Sequence, residues 1–122
     1  MDKKIAFYLM NEKGFYTLNK FIKKFTSSNI DYIVSSIDKN MKKDYFKEIK
    51  QLCKKYKITF FDRNSDYFKK EKKFAGYKFA IGWRWIIQNS TNLIVFHDSL
   101  LPKYRGFAPL VNSLVSNENR GG

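Results

Sequence analysis

Asn92-Leu93-Ile94-Val95-Phe96-His97-Asp98-Ser99-Leu100-Leu101-Pro102-Lys103-Tyr104-Arg105-Gly106 is the stretch on which the reading of this chain turns. Leu93, Ile94, Val95 and Phe96 are four apolar residues in succession, the pattern of a strand buried on both faces. The polar group His97-Asp98-Ser99 follows where such a strand emerges from its sheet. Open α/β sheets hold their ligands at that end of their strands.

Working outward, the upstream chain alternates strand and helix. Ile5-Ala6-Phe7-Tyr8-Leu9-Met10 is a near-continuous apolar run that ends at Asn11-Glu12-Lys13-Gly14, a central strand and its turn. Phe15, Leu18, Phe21, Ile22 and Phe25 then recur at helical spacing. A second strand is expected over residues 30–37, with Asp38 or Asn40 capping the next helix. That helix carries Met41, Tyr45, Ile49, Leu52, Cys53 and Tyr56 on one stripe and lysines opposite. Ile58-Thr59-Phe60-Phe61 is a short third strand. The segment Lys69-Lys70-Glu71-Lys72-Lys73 has too few apolar residues for deep burial and is expected as a solvated helix or loop. Residues 77–83 read as the fourth strand, continued by Arg84-Trp85-Ile86-Ile87 to a turn at Gln88-Asn89-Ser90. After the quoted stretch, Leu110, Val111, Leu114 and Val115 return to helical spacing, with Pro109 placed within the first turn.

Alternating elements wind into a parallel sheet. The expected fold is therefore α/β: a Rossmann-like, mainly parallel sheet of about five strands flanked by helices, with the first strand central. At 122 residues and 43% hydrophobic composition the chain is one domain with a modest core. No internal repeat or low-complexity linker interrupts it. The first apolar run is too short for a signal-peptide core or a membrane span, so the expectation is a cytoplasmic protein without a membrane partner.

A net charge of +13, from 24 basic against 11 acidic residues, favours an anionic partner through its long-range field. Many of the lysines also sit on expected helix faces, where solvation alone accounts for them. Cys53 is the only cysteine, which excludes an intrachain disulfide and a cysteine-based metal site. Its place on an apolar helix stripe reads as a buried, inert thiol. The single glycine of the first turn, Gly14, lacks the companions that let pyrophosphate approach a backbone, so a dinucleotide cofactor is not expected.

His97, Ser99, Leu100, Leu101 and Pro102, continued by Arg105-Gly106 and Ala108-Pro109, match a longer pattern. In these residues the chain resembles the N-terminal domain of the formyltransferase family, whose signature runs Asn-x-His-x-Ser-Leu-Leu-Pro. The family moves a formyl group from 10-formyltetrahydrofolate to an amine on methionyl-tRNA, glycinamide ribonucleotide or an amino sugar. The resemblance implies that His97 is catalytic and that 10-formyltetrahydrofolate is the formyl donor. It implies folate contacts at Gly82, Trp83, Arg84, Trp85 and Ile86, and at Ser99, Leu100, Leu101 and Pro102. Lys103, Arg105 and Gly106 would hold the acceptor. Trp83 and Trp85 are equally open to a reading as packing residues.

Two departures accompany the match. Val95 stands where the family carries the Asn that holds the formyl oxygen, and valine has no hydrogen-bond donor. The family's catalytic Asp lies further downstream than residue 122. Asp98 is not its substitute, because alternation along a strand turns it away from His97. The expectation is a domain incomplete at its C-terminus, weak or inactive by itself. An amino-sugar nucleotide is the expected acceptor, methionyl-tRNA the alternative, and a non-catalytic remnant or binding module the reading from a different class. The sequence leaves the oligomeric state open and implies no metal.

Overall fold

A computed structural model of the protein describes residues 4–96. The elements are β1 (Ile5–Leu9), α1 (Asn11–Phe25), β2 (Ile30–Ser35), α2 (Phe46–Lys55), β3 (Thr59–Asp62), α3 (Phe68–Lys73), β4 (Tyr77–Ile81) and β5 (Leu93–Phe96). The five strands form one sheet in the order β3-β2-β1-β4-β5. Every neighbouring pair is parallel. This is the expected Rossmann-like α/β arrangement, with β1 at its centre. The expected helix around Leu110 to Val115 lies outside the described residues.

Parallel pairing requires each connection to cross the sheet; α1, α2 and α3 supply three of the crossings and the segment between β4 and β5 the fourth. Leu18 and Ile22 of α1 and Ile49 and Cys53 of α2 pack with Phe7, Leu9, Ile33 and Ile81 on one face of the sheet. Burial of each such aliphatic side chain stabilises the fold by about 1.5–3 kcal/mol. The opposite face carries Ala6, Tyr8, Tyr32, Val34 and Ala80, covered by Tyr67 and Ile87 with Phe74 packed against them. Among the described residues, no helix is long and apolar enough to cross a membrane.

The second face is partly polar. Tyr8 and Tyr32 lie hydroxyl to hydroxyl at 2.7 Å, and the Tyr8 hydroxyl donates to Glu71 Oε2 at 3.1 Å. A phenol has one proton to give, so with Tyr8 committed to Glu71 it is Tyr32 that donates to Tyr8. Burial pushes both phenols above their ordinary range. Lys78, fully buried on β4, donates from Nζ to the Thr91 carbonyl at 2.9 Å. Its burial lowers the ammonium pKa, and the charge of Glu71 opposes that shift. The lysine-rich segment is thus a helix, as one of its two expected forms, but Glu71 within it is only 1% exposed. Expecting the segment wholly solvated overlooked that two phenols can receive a carboxylate.

Several boundaries differ from the sequence reading: the expected turn at Asn11 to Gly14 is already the start of α1, and β3 lies one residue later than expected. β2 stops at Ser35, and α2 begins at Phe46 because Tyr45 takes a left-handed conformation with φ 63°. Asp44, not Asp38 or Asn40, supports that start: its Oδ1 accepts from Phe46 N at 3.0 Å and its Oδ2 from Asp38 N at 2.8 Å. β4 ends at Ile81, where Gly82 turns the chain with φ 69°. β5 is not buried on both faces. Among the described residues it pairs with β4 alone, and Ile94, Val95 and Phe96 are 38%, 41% and 51% exposed. An apolar run marks a strand but not its rank in the sheet.

Cys53 is fully buried, and burial pushes its thiol up to about 12. In the folded protein at pH 8 a disulfide reagent should leave it unmodified for as long as the chain stays folded, and urea should expose it to stoichiometric reaction. An ordinary thiol ionises near 8.5–9, so Cys53 contributes stability that is complete below that range and lost as pH rises toward 12. Urea midpoints at pH 7.5 and 10.5 should therefore fall in that order, with the raised phenols of Tyr8 and Tyr32 acting in the same direction.

Candidate functional site

The strand order reverses direction between β1 and β4, and the crevice at the carboxyl ends of these strands is where open α/β sheets bind ligands. Backbone contacts set its geometry. Met10 N donates to the Ile81 carbonyl at 3.3 Å, which locks the β1 exit to the β4 exit. Asn11 adopts φ 61°, accepts from Lys13 N through Oδ1 at 3.0 Å to cap α1, and donates its own N–H to the Asp44 carbonyl at 3.0 Å. A Cβ on Gly82 would stand 2.6 Å from the Met10 carbonyl oxygen, so both the positive φ and the close approach demand glycine there.

From Gly82 the chain runs past Trp83, Arg84 and Trp85 along the carboxyl edge toward the ends of β2 and β3. Arg84 Nη1 lies 3.1 Å from Asp38 Oδ2, a carboxylate 4% exposed that follows β2. The contact is an ion pair without hydrogen-bond alignment, since Asp38 Oδ2 has no aligned donor among the described residues. Arg63, directly after β3, donates from Nε to Ser36 Oγ at 3.1 Å and holds its guanidinium 4.3 Å from the centre of the Trp85 ring. Ser36 Oγ in turn donates to the Ile37 carbonyl. Trp85 meets Trp83 edge to face at 5.1 Å, and Trp83 meets Tyr8 at 5.7 Å.

Two arginines from different loops therefore meet the segment that follows β2, Arg63 at Ser36 and Arg84 at Asp38, and Arg63 also lies over Trp85. Each guanidinium has five N–H donors, and the contacts above use few of them. The Arg84 side chain is 53% exposed, which leaves donors available to a ligand. Ser35 Oγ and Trp83 Nε1 are buried with no hydrogen-bond partner among the described residues. The arrangement suits a planar group laid against Trp85 with an anionic end at Arg63 and Arg84.

Comparison with protein-family models, curated proteins and solved structures finds no match for this chain. Gly82, Trp83, Arg84, Trp85 and Ile86 form one continuous loop at the carboxyl edge, with Ile86 88% exposed. Trp83 is a packing residue against the Tyr8 cluster, whereas Trp85 is the one layered under a cation. Val95 lies opposite Ala80 in register, and Phe96 opposite Ile81, so β5 ends level with the start of this loop. His97, Ser99, Leu100, Leu101, Pro102, Lys103, Arg105 and Gly106 lie outside the described residues. Among the described residues, no group of His, Cys, Asp or Glu could hold a metal ion.

Arg63, Ser36 and Asp38 are the members that sequence reasoning missed. Asp38 reads locally as a cap and Arg63 as part of a turn, and only the parallel winding of β2, β3 and β4 brings Asp38 to Arg84 and Arg63 to Trp85.

Removing Arg84 leaves the Asp38 carboxylate buried without its counter-charge. Arg84→Ala should lower stability by about 1–3 kcal/mol, since the exposed side of the pair is solvent-screened. The double variant Arg84→Ala/Asp38→Asn should recover part of that loss. Urea denaturation followed by tryptophan fluorescence measures both.

Proposed function

We propose that this domain binds 10-formyltetrahydrofolate at the carboxyl edge of its sheet and serves formyl transfer to an amine, with an amino-sugar nucleotide as acceptor. One observation carries the reading: the loop of residues 82–87, in which the resemblance places the folate, lies at the ligand-binding edge of a Rossmann-like sheet with Arg63, Arg84 and Trp85 gathered on it. A folate is a flat heteroaromatic ring joined to an anionic glutamate tail. Trp85 offers a face for aromatic contact, and the two guanidinium groups offer charge-assisted bonds to carboxylates.

In the transfer itself the acceptor amine attacks the formyl carbon. A new C–N bond forms, the carbonyl oxygen becomes anionic, and the bond from carbon to N10 of the folate then breaks. The amine loses a proton and N10 gains one. His97 is the group the resemblance assigns to the oxyanion, with the proton relayed by the family's downstream Asp. Val95 supplies no donor, and loss of one such donor is worth roughly 10²- to 10³-fold in rate. Methionyl-tRNA is the alternative acceptor. Val95 also favours a second reading, a module that retains the folate cleft and binds without turnover.

Titration with 10-formyltetrahydrofolate or a non-reactive folate analogue, followed by calorimetry and amide shifts, tests the site. The parent should bind with shifts concentrated in residues 82–87, and Arg63→Ala or Arg84→Ala should weaken binding about tenfold, the scale of a lost charge-assisted bond. No shift in that loop at millimolar ligand would remove the reading. Turnover separates enzyme from module. With formylfolate and an amino-sugar nucleotide the parent should be near background, and Val95→Asn should raise the rate by at least about tenfold if the rest of the catalytic group is present.

A further inference from the structure

In a parallel sheet wound through helices, every helix C-terminus and every strand start falls on one edge, opposite the ligand crevice. Here that amino edge collects the basic pairs that end the helices: Lys23 and Lys24 of α1, Lys54 and Lys55 of α2, Lys72 and Lys73 of α3. Lys57 before β3 and Lys4 before β1 add to it, and all of these side chains are exposed. The carboxylates are distributed the other way. Among the described residues, Glu12, Asp38, Asp44, Glu48 and Asp66 occupy loops or first helical turns at the carboxyl edge, Asp62 ends β3 there, and Glu71 is buried in the Tyr8 network. Asp31 alone remains at the amino edge, and it is held by Lys70 at 2.9 Å.

A cavity of about 360 Å³ opens in this edge, lined by Lys4, Asp31, Lys70, Lys73, Phe74 and Gly76 among others. Gly76 is fixed in kind, because a Cβ there would collide with the Lys4 carbonyl. With Lys70 paired to Asp31, Lys4 and Lys73 have no carboxylate partner among the described residues. Tyr77, beside Gly76, is 54% exposed, and Phe25 at the end of α1 is 59% exposed.

We infer that the amino edge is a docking surface for the sugar-phosphate backbone of a single-stranded nucleic acid, which seats a phosphate between Lys4 and Lys73. A basic groove interleaved with exposed aromatic rings is the pattern that tracks a single strand, with bases stacking on the rings. A mononucleotide would touch the cavity but not the helix-end lysines, which lie on both faces of the sheet. A bilayer is planar and would meet the rim of the cavity without entering it. The inference is independent of the folate site, which lies at the other edge.

The experiment uses the full chain and fluorescence anisotropy of a labelled 20-nucleotide oligouridylate between 50 and 200 mM salt. Lys4→Glu/Lys73→Glu is compared with Lys39→Glu/Lys42→Glu, which makes the same charge change in the exposed loop after β2. Circular dichroism monitors the fold, and Lys4→Gln/Lys73→Gln gives a milder version of the first pair. The expected result is about tenfold weaker binding for the amino-edge variants, with a salt slope shallower by about 1.4, and less than about twofold loss for the control pair. Equal losses in both pairs would show attraction to net charge alone and overturn the inference. So would parent-like binding by the amino-edge variants, equal affinity for inorganic phosphate or ATP, or sedimentation with phosphatidylserine vesicles in the absence of RNA binding.

Discussion

The double pairing of β1 is the constraint from which the rest of the architecture follows. Its residues bond to β2 on one side and β4 on the other, and Ala6, Tyr8, Leu9 and Met10 have no exposed surface. A strand so enclosed has to leave the sheet by a tight exit, and the exit is built accordingly. Gly14 in α1 sits where a Cβ would lie 3.1 Å from Leu9 Cβ, so helix and strand pack at nearly backbone contact. Asn11 accepts a left-handed φ, which its short polar side chain offsets by capping the helix. Gly82 repeats the arrangement on β4. These close contacts hold the loops of the carboxyl edge in fixed register, which is what a site assembled from three loops requires.

The two faces of the sheet solve burial differently. Against α1 and α2 the contact is apolar, and the stripes that form it were readable as helical periodicity. The other face has no long amphipathic helix among the described residues. It has α3, whose lysines look outward and whose Glu71 reaches in to the Tyr8 hydroxyl, itself bonded to that of Tyr32. Alternation along β1 and β2 predicts that Tyr8 and Tyr32 share a face. It does not predict the carboxylate that meets them, because that pairing spans 63 residues of sequence. The hydrogen bond from Tyr8 and the nearby charge of Lys78 offset part of the cost of burying that carboxylate.

The same division separates what was legible at the candidate site from what was not. The succession of strands and helices follows from local pattern, because apolar runs, turns and helical stripes are short-range signals, whereas the same pattern carried the fourth strand past Ile81 into residues 82–87, which form a loop. The placement of β5 at the margin of the described sheet does not follow from it, since Leu93 to Phe96 would read alike in a central strand. Asp38 and Arg63 were invisible as site residues for a related reason. Each makes sensible local sense, Asp38 accepting from Asn40 N and Arg63 donating its amide to the Ser35 carbonyl. Their convergence on Arg84 and Trp85 is a property of the sheet and not of either segment.

Parallel winding also imposes an electrostatic order that no single element displays. Each helix favours carboxylates at its start and ammonium groups at its end, by about 0.3–1 kcal/mol apiece. In an isolated helix that preference is a local matter. When α1, α2 and α3 all cross the sheet in the same sense, their starts gather at one edge and their ends at the other, and local preferences add to a field across the whole domain. The carboxyl edge then mixes signs: Arg84 meets Asp38 and Lys43 meets Glu48. Charge there is used for geometry, to hold loops and aim guanidinium groups. The amino edge keeps nearly one sign, with Lys70 and Asp31 its sole described ion pair. Close-set ammonium groups repel one another, and at 0.15 M salt that repulsion is screened beyond about 8 Å. Helix dipoles offset part of it for the helix-end lysines, Lys57 in the closing turn of α2 included, but not for Lys4, which precedes β1. A bound polyanion would neutralise all of them together, and this is the physical reason to distinguish a basic edge from a merely basic composition.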